Sequence, residues 1–443
     1  MNYVRSGVIY AAANIASAAV PFLLLPMLTR VLSPAEYGSV VDFALLVTLC
    51  QAVAGLHVHG AIGVGWFQRP RDEVPTFILT ALVIAFVSTL AAALLVGAVF
   101  ISFPRGSGIS VQWGVVAALT AGANVVLQCR LVLWQSQNHA LASAALQFGA
   151  SAVNVGLTLL AVLAFGLGGD GRNAAIAAAA FLMAVVAVAL FIRAKELRWV
   201  ASAEHCRALL RFGAPLIVHS LAGVLISTAD RWSISVRLDA AALGVYGAGA
   251  QLGMAVAIMA DAFVKAYSPW MYAKLGDGTL QAGRTVVGAI YVTMPSFVVL
   301  AGVIGFTLHA GVGWVLGPAY RPAADLLPWF MVGGAASGIY VCNSVLFFFH
   351  GRTSLLASVT LTSALVGAPL TWWLVGHFGA EGAAAGFAAT QGMLALLSTT
   401  TAMRAFALPW SEIRPALAAF FQTFVVPRRT PPVNPLKPGD TAP

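Results

Sequence analysis

Long uncharged apolar runs, separated by short polar turns, organise this chain from end to end. The first run, Gly7 to Thr29, has 23 residues, enough to cross a bilayer core of about 30 Å as a helix. A polar turn follows it, with Arg30, Ser33-Pro34, Glu36-Tyr37 and Gly38. Further uncharged runs occupy 74–104, 106–129, 131–169, 173–192, 212–229, 240–260, 285–320, 326–351, 353–380 and 382–403, and 39–65 is apolar apart from Asp42 and two histidines. The run 131–169 is too long for one span, and its polar knot Gln135-Ser136-Gln137-Asn138-His139 limits it to a helix starting near Ala142. The pattern predicts an all-α polytopic membrane protein with about twelve transmembrane helices. Apolar sequence continuing past Ala16-Ser17-Ala18 to Leu28 predicts a retained helix rather than a cleaved leader.

The longest break, Arg193 to Arg211, carries five basic residues with Trp199, Leu209 and Leu210. It predicts a helix lying in the membrane interface and joining two six-helix bundles, residues 1–206 and 207–404. A shift of 206 residues brings Gly7 onto Gly213, Leu32 onto Leu238, Ala35 onto Ala241 and Gly38 onto Gly244. Only five of 32 positions are identical, so the repeat rests on shared layout. Six helices per half would relate the halves by an axis along the membrane normal, with a substrate path between them. Residues 405–443 read as a cytoplasmic tail. Ser411 could cap a short helix to about Val426, and six prolines in 427–443 predict disorder beyond it.

Composition sharpens the picture. Only 9% of residues are charged and 60% are hydrophobic, against about 25% charged in soluble domains. With the N-terminus in the cytoplasm, eighteen of the 24 Lys and Arg residues fall on the cytoplasmic side and five on the other. That asymmetry predicts that both termini face the cytoplasm. The net charge of +9 then reflects orientation and attraction to lipid headgroups, not a nucleic-acid partner. The four cysteines show no metal spacing and suggest no disulfide. There is no GxxxxGK[ST], GxSxG or HExxH motif, so no enzyme activity and no cofactor are expected. An ion gradient, the membrane potential or substrate supply would drive transport.

Ionisable residues inside apolar spans are costly and usually face a bundle interior or a water-filled cavity. Asp230-Arg231 reads either as a cavity-lining pair or as an interhelical clasp. In the first reading Arg231 meets an anionic group, and Asp230 holds it or carries a proton. Asp261 and Lys265 have salt-bridge spacing. Asp42 could line the outer mouth of a cavity or cap its helix. Asn124 and Gln128 share a helical face suited to sugar hydroxyls or to helix association, and Arg130 is expected to snorkel to the surface. His57 and His59, about 200° apart on a helix, should point to opposite sides. They and His219 could relay protons or sit buried and neutral. Pro21, Pro26, Pro215, Pro295 and Pro369 should kink their helices.

Two blocks carry a family resemblance. VPFLLLPMLTRVLSPAEYGSVVDFALL is the first. The second is RFGAPLIVHSLAGVLISTADRWSISVRLDAAALGVYGAGAQL, with Phe212-Gly213, Pro215-Leu216, Asp230-Arg231, Leu243-Gly244 and Tyr246. Both resemble Wzx-type polysaccharide flippases, in the group that includes MATE exporters and lipid II flippases. The resemblance implies a V-shaped pair of bundles working by alternating access in the bacterial cytoplasmic membrane. It implies a cationic cavity that moves undecaprenyl-diphosphate-linked oligosaccharide to the outer leaflet for O-antigen or exopolysaccharide synthesis. The implied partners are that lipid-linked oligosaccharide, a coupling proton or sodium ion, membrane lipids and the polysaccharide polymerase machinery. Candidate substrate contacts are then Arg231, Asp230, Arg30, Asn124, Gln128 and Lys265, and candidate ion-coupling groups are Asp42, Asp230 and Asp261. A MATE-like exporter of small cations would instead want those carboxylates in the cavity. A membrane-embedded polymerase or ligase is disfavoured by the short outer loops.

Overall fold

The computed structural model describes Ser17, residues 19–102 and residues 110–425. The run from Gly7 to Ala16, the proline-rich stretch 427–443 and the side chains of Pro215 and His219 lie outside what is described. Among the described residues the chain is helical throughout, with no strand. In the first half it forms α1 (Ala19–Val31), α2 (Pro34–Gln51), α3 (Val58–Gln68), α4 (Val74–Ser102), α5 (Val111–Ser136), α6 (Ala140–Thr158) and α7 (Gly168–Arg193). The second half forms α8 (Ala203–Arg237), α9 (Ala240–Gly276), α10 (Leu280–Val315), α11 (Ala323–Phe349), α12 (Thr353–Ala405) and α13 (Ile413–Val425).

Short polar residues start many of these helices, because their side chains accept the otherwise orphaned first N–H groups. Ser33, Ser110, Ser202, Asp239 and Thr279 cap α2, α5, α8, α9 and α10. Ser33 and Glu36 complete a reciprocal capping box.

Among the described residues, eight helices are long and apolar enough to cross a membrane, nine if the bent α2–α3 pair is one span. α12 is broken at Gly379 and supplies two arms. With α8 and α1 added, the twelve predicted spans are accounted for.

Two local expectations change. The segment 193–211 contains no separate interfacial helix: its second part is the start of α8, which runs unbroken to Arg237. Helix α10 is continuous through Pro295, whereas α2 and α3 meet at 52°. That bend falls at Gly55, Leu56 and His57, all with positive φ. The turn brings His57 and His59 to the same side, with ring centroids 5.6 Å apart. The short helix expected after Ser411 is present as α13, which packs on α10; just ahead of it, Glu412 and the Trp410 carbonyl accept from Arg284 and Tyr291.

The halves meet most tightly where α2 crosses α9. A Cβ on Gly38 would collide with the Ala240 carbonyl, and one on Gly244 with the Pro34 carbonyl. Those four positions are related by the 206-residue shift, so the contact is reciprocal, as across a two-fold axis. Gly247 packs on Val41, its own counterpart under the same shift. Around this crossing Tyr320 donates to the Leu32 and Ser33 carbonyls, and the Gly317 N–H donates to Thr29 Oγ1. Leu24, Leu25, Leu28 and Leu32 bury themselves in the same cluster as Tyr320, Ala323 and Leu327. This end of the molecule is sealed.

Candidate functional site

A cavity of about 550 Å³ lies directly beneath that seal. Its walls come from both halves: α1, α2 and α7 on one side, α8 and α9 on the other. Two arginines face it, Arg172 of α7 and Arg231 of α8. Arg172 Nη1 donates to Asn154 Oδ1 at 2.8 Å and to Thr158 Oγ1, both on α6. Its Nε is buried without a partner. Arg231 Nη1 donates to the Ser227 carbonyl at 3.0 Å, one turn back. Both guanidiniums are thus held by neutral oxygens. Tyr37 lies within electrostatic reach of both and donates to Gln251 Oε1 at 2.9 Å, tying α2 to α9. No carboxylate is among the described residues lining the cavity.

The structure separates the predicted site residues. Asp230 is buried and turned from the cavity, accepting from the Tyr246 hydroxyl and the Arg231 backbone N–H. Asp42 is buried beside α8, where Ser235 donates to it at 2.8 Å. It therefore joins the halves rather than lining an open mouth. Asp261 and Lys265 pair at 2.6 Å on an exposed face of α9. Arg30 caps the Pro26 and Trp314 carbonyls at the sealed end. Neither Arg30 nor Lys265 lines the cavity. Asn124 faces an adjoining side chamber, while Gln128 is exposed. Arg130 does not snorkel. It is buried, paired with Glu196 and stacked on Trp134 and Phe191, because the loop after α7 folds a carboxylate over it.

Arg172 lies just before the uncharged run 173–192 and is not among the site residues expected from sequence. The structure starts α7 at Gly168, which carries Arg172 into the wall. A signal for it existed: Asn154 and Thr158 have i,i+4 spacing on one apolar helix, a polar face waiting for a donor.

Residues 3–273 match the family model described as "Polysaccharide biosynthesis protein". The chain belongs to that family. A Haemophilus influenzae relative named "Lsg locus putative protein 1" is 24% identical over 374 residues, covering 83% of this chain and 90% of its own. A lipid II flippase MurJ structure, in an inward closed conformation, aligns at TM-score 0.71 and 12% identity, over 94% of this chain and 91% of that one. An inward-facing MATE multidrug transporter aligns at 0.66 and 14% identity, over 93% and 95%. This member of the polysaccharide biosynthesis family therefore has a multi-pass helical fold similar to those transporters.

Proposed function

We propose that the protein moves a diphosphate-linked, lipid-anchored oligosaccharide across the bacterial cytoplasmic membrane by alternating exposure of this cavity, for cell-surface polysaccharide synthesis. The observation that carries the reading is the pairing of Arg172 and Arg231, one from each half, in a cavity without carboxylates. Each arginine costs about 2.5–3.5 kcal/mol to place in a membrane on insertion scales. Among the described residues, neither guanidinium has an acidic hydrogen-bonding partner. Planar guanidinium forks suit phosphate oxygens, and a diphosphate could engage one fork from each half. In this reading both termini are cytoplasmic, so the Gly38 end faces outward and is closed before loading. Asp42 becomes the foremost candidate for ion coupling, because it sits where the halves must part.

The three carboxylates that a cation exporter would use all have protein partners away from the lining. The test is reconstitution in liposomes with a fluorescent polyprenyl-diphosphate sugar. The full chain should move it across the bilayer. Arg172→Ala or Arg231→Ala should lose about 1.5–3 kcal/mol of charge-assisted binding, a fall of roughly 10- to 150-fold. Unchanged movement in both variants, or transport of small organic cations instead, overturns the proposal.

A further inference from the structure

Beside the main cavity, inside the first half, lies a second chamber of about 350 Å³. The two share Pro21, Arg172 and Ile176, so Arg172 stands at the doorway between them. The chamber differs from the main cavity in chemistry. Among the described residues its polar walls are amides and hydroxyls, Ser17, Asn124, Ser151 and Asn154, with Arg172 as the single charge.

These groups are not used up by the protein. Ser151 donates to Ser17 across a long 3.4 Å contact. Asn154 accepts from Arg172 through its oxygen, which leaves its amino group available. No side-chain hydrogen bond is made by Asn124 among the described residues, whereas a turn and a half further along the same helix Arg130 is paired with Glu196. A polar side chain inside a membrane bundle is unfavourable without a partner, so an amide facing this partly open chamber suits a ligand that supplies both donors and acceptors. Sugar hydroxyls and N-acyl groups do this, and a small-molecule chamber in the range of a few hundred Å³ suits a sugar unit.

We propose that this chamber binds the sugar residue next to the diphosphate, with Asn124 and Asn154 reading its hydroxyl or N-acyl groups and Arg172 marking the phosphate–sugar junction. The inference rests on the flippase reading above and adds where its head group is recognised. The main cavity then holds charge, and the side chamber supplies selectivity for the glycan.

The test compares two ligands on the purified full chain in nanodiscs. One is farnesyl diphosphate. The other is the same lipid carrying glucose, galactose or N-acetylglucosamine. The unaltered chain should bind at least one sugar-bearing form tenfold or more tightly than the bare lipid. Asn124→Leu removes the amide, and Ala150→Phe fills the chamber without touching a polar group. In either variant that ratio should fall toward one, with the melting temperature checked for folding. A ratio that survives both variants, or no preference for any of the sugars in the unaltered chain, overturns the chamber assignment while leaving diphosphate binding in place. Failure of the unaltered chain to bind either lipid overturns the flippase reading, and the chamber assignment falls with it.

Discussion

Adding one methyl group at Gly38 should hold the sealed end open. A Cβ there would stand 1.7 Å from the Ala240 carbonyl oxygen, where ordinary contact begins near 3.4 Å. Backbone cannot swing aside as a side chain does, so α2 and α9 must part by up to about 1.7 Å, the shortfall from 3.4 Å. Overpacking of this kind costs about 1–3 kcal/mol. If the cost falls on the closed state alone, the balance shifts by roughly 5- to 150-fold toward opening at this end. The assay is the labelling rate of Ser227→Cys, a cavity-lining position, by a membrane-impermeant maleimide applied from the Gly38 side. The background replaces the four native cysteines, three of which are buried. Gly38→Ala should speed labelling 5- to 150-fold. Gly244→Ala should do the same, because its Cβ would meet Pro34 in the mirror contact. Gly149→Ala, with nothing within 4 Å, should change little. An unchanged rate in a well-folded Gly38→Ala protein would refute the claim that this crossing is the seal.

Three further outcomes follow from burial. Arg130→Ala leaves Glu196 uncompensated, and Glu196→Ala does the converse, so each should cost about 3–5 kcal/mol, seen as a lowered melting temperature in detergent. Replacing both together should cost less than the two single losses summed. Gly55→Ala puts a side chain at φ +76° and 2.4 Å from Val125 Cγ1. It should cost about 1–3 kcal/mol and reduce the folded yield, whereas Gly156→Ala in open space should not. Tyr246→Phe removes the hydroxyl donor to buried Asp230, a loss of about 1–3 kcal/mol. Adding Asp230→Asn should recover part of it.

The spans were legible because nothing but a membrane tolerates so many uncharged runs, and helix caps such as Ser33 and Asp239 sit at their boundaries. The repeat was legible only as layout. Its physical content is the Gly38–Gly244 crossing, which identity alone could not reveal. The site was half legible: Arg231 stands in the cavity wall, but Arg172 fell just before the run 173–192. Side-chain direction was the recurring gap. Asp230 and Arg231 are neighbours, yet one turns to Tyr246 and the other to the cavity. The His57–His59 geometry escaped prediction because periodicity assumes an unbroken helix, and Gly55 breaks it.

Helix α8 starts in one half and finishes in the other. Its first turns bury Leu209 among Ile78, Phe77 and Phe191, and place His205 against Glu73. Its last turns bury Ile234 with Leu243 and Tyr246. Ahead of it, Trp199 and Val200 are 73% and 60% exposed. The covalent link between the halves is therefore dispensable in principle. A chain severed near Val200 would leave the C-terminal fragment carrying its own docking handle for the N-terminal one. Two co-expressed polypeptides could then reassemble on that helix, giving a way to isotope-label or mutate each half separately.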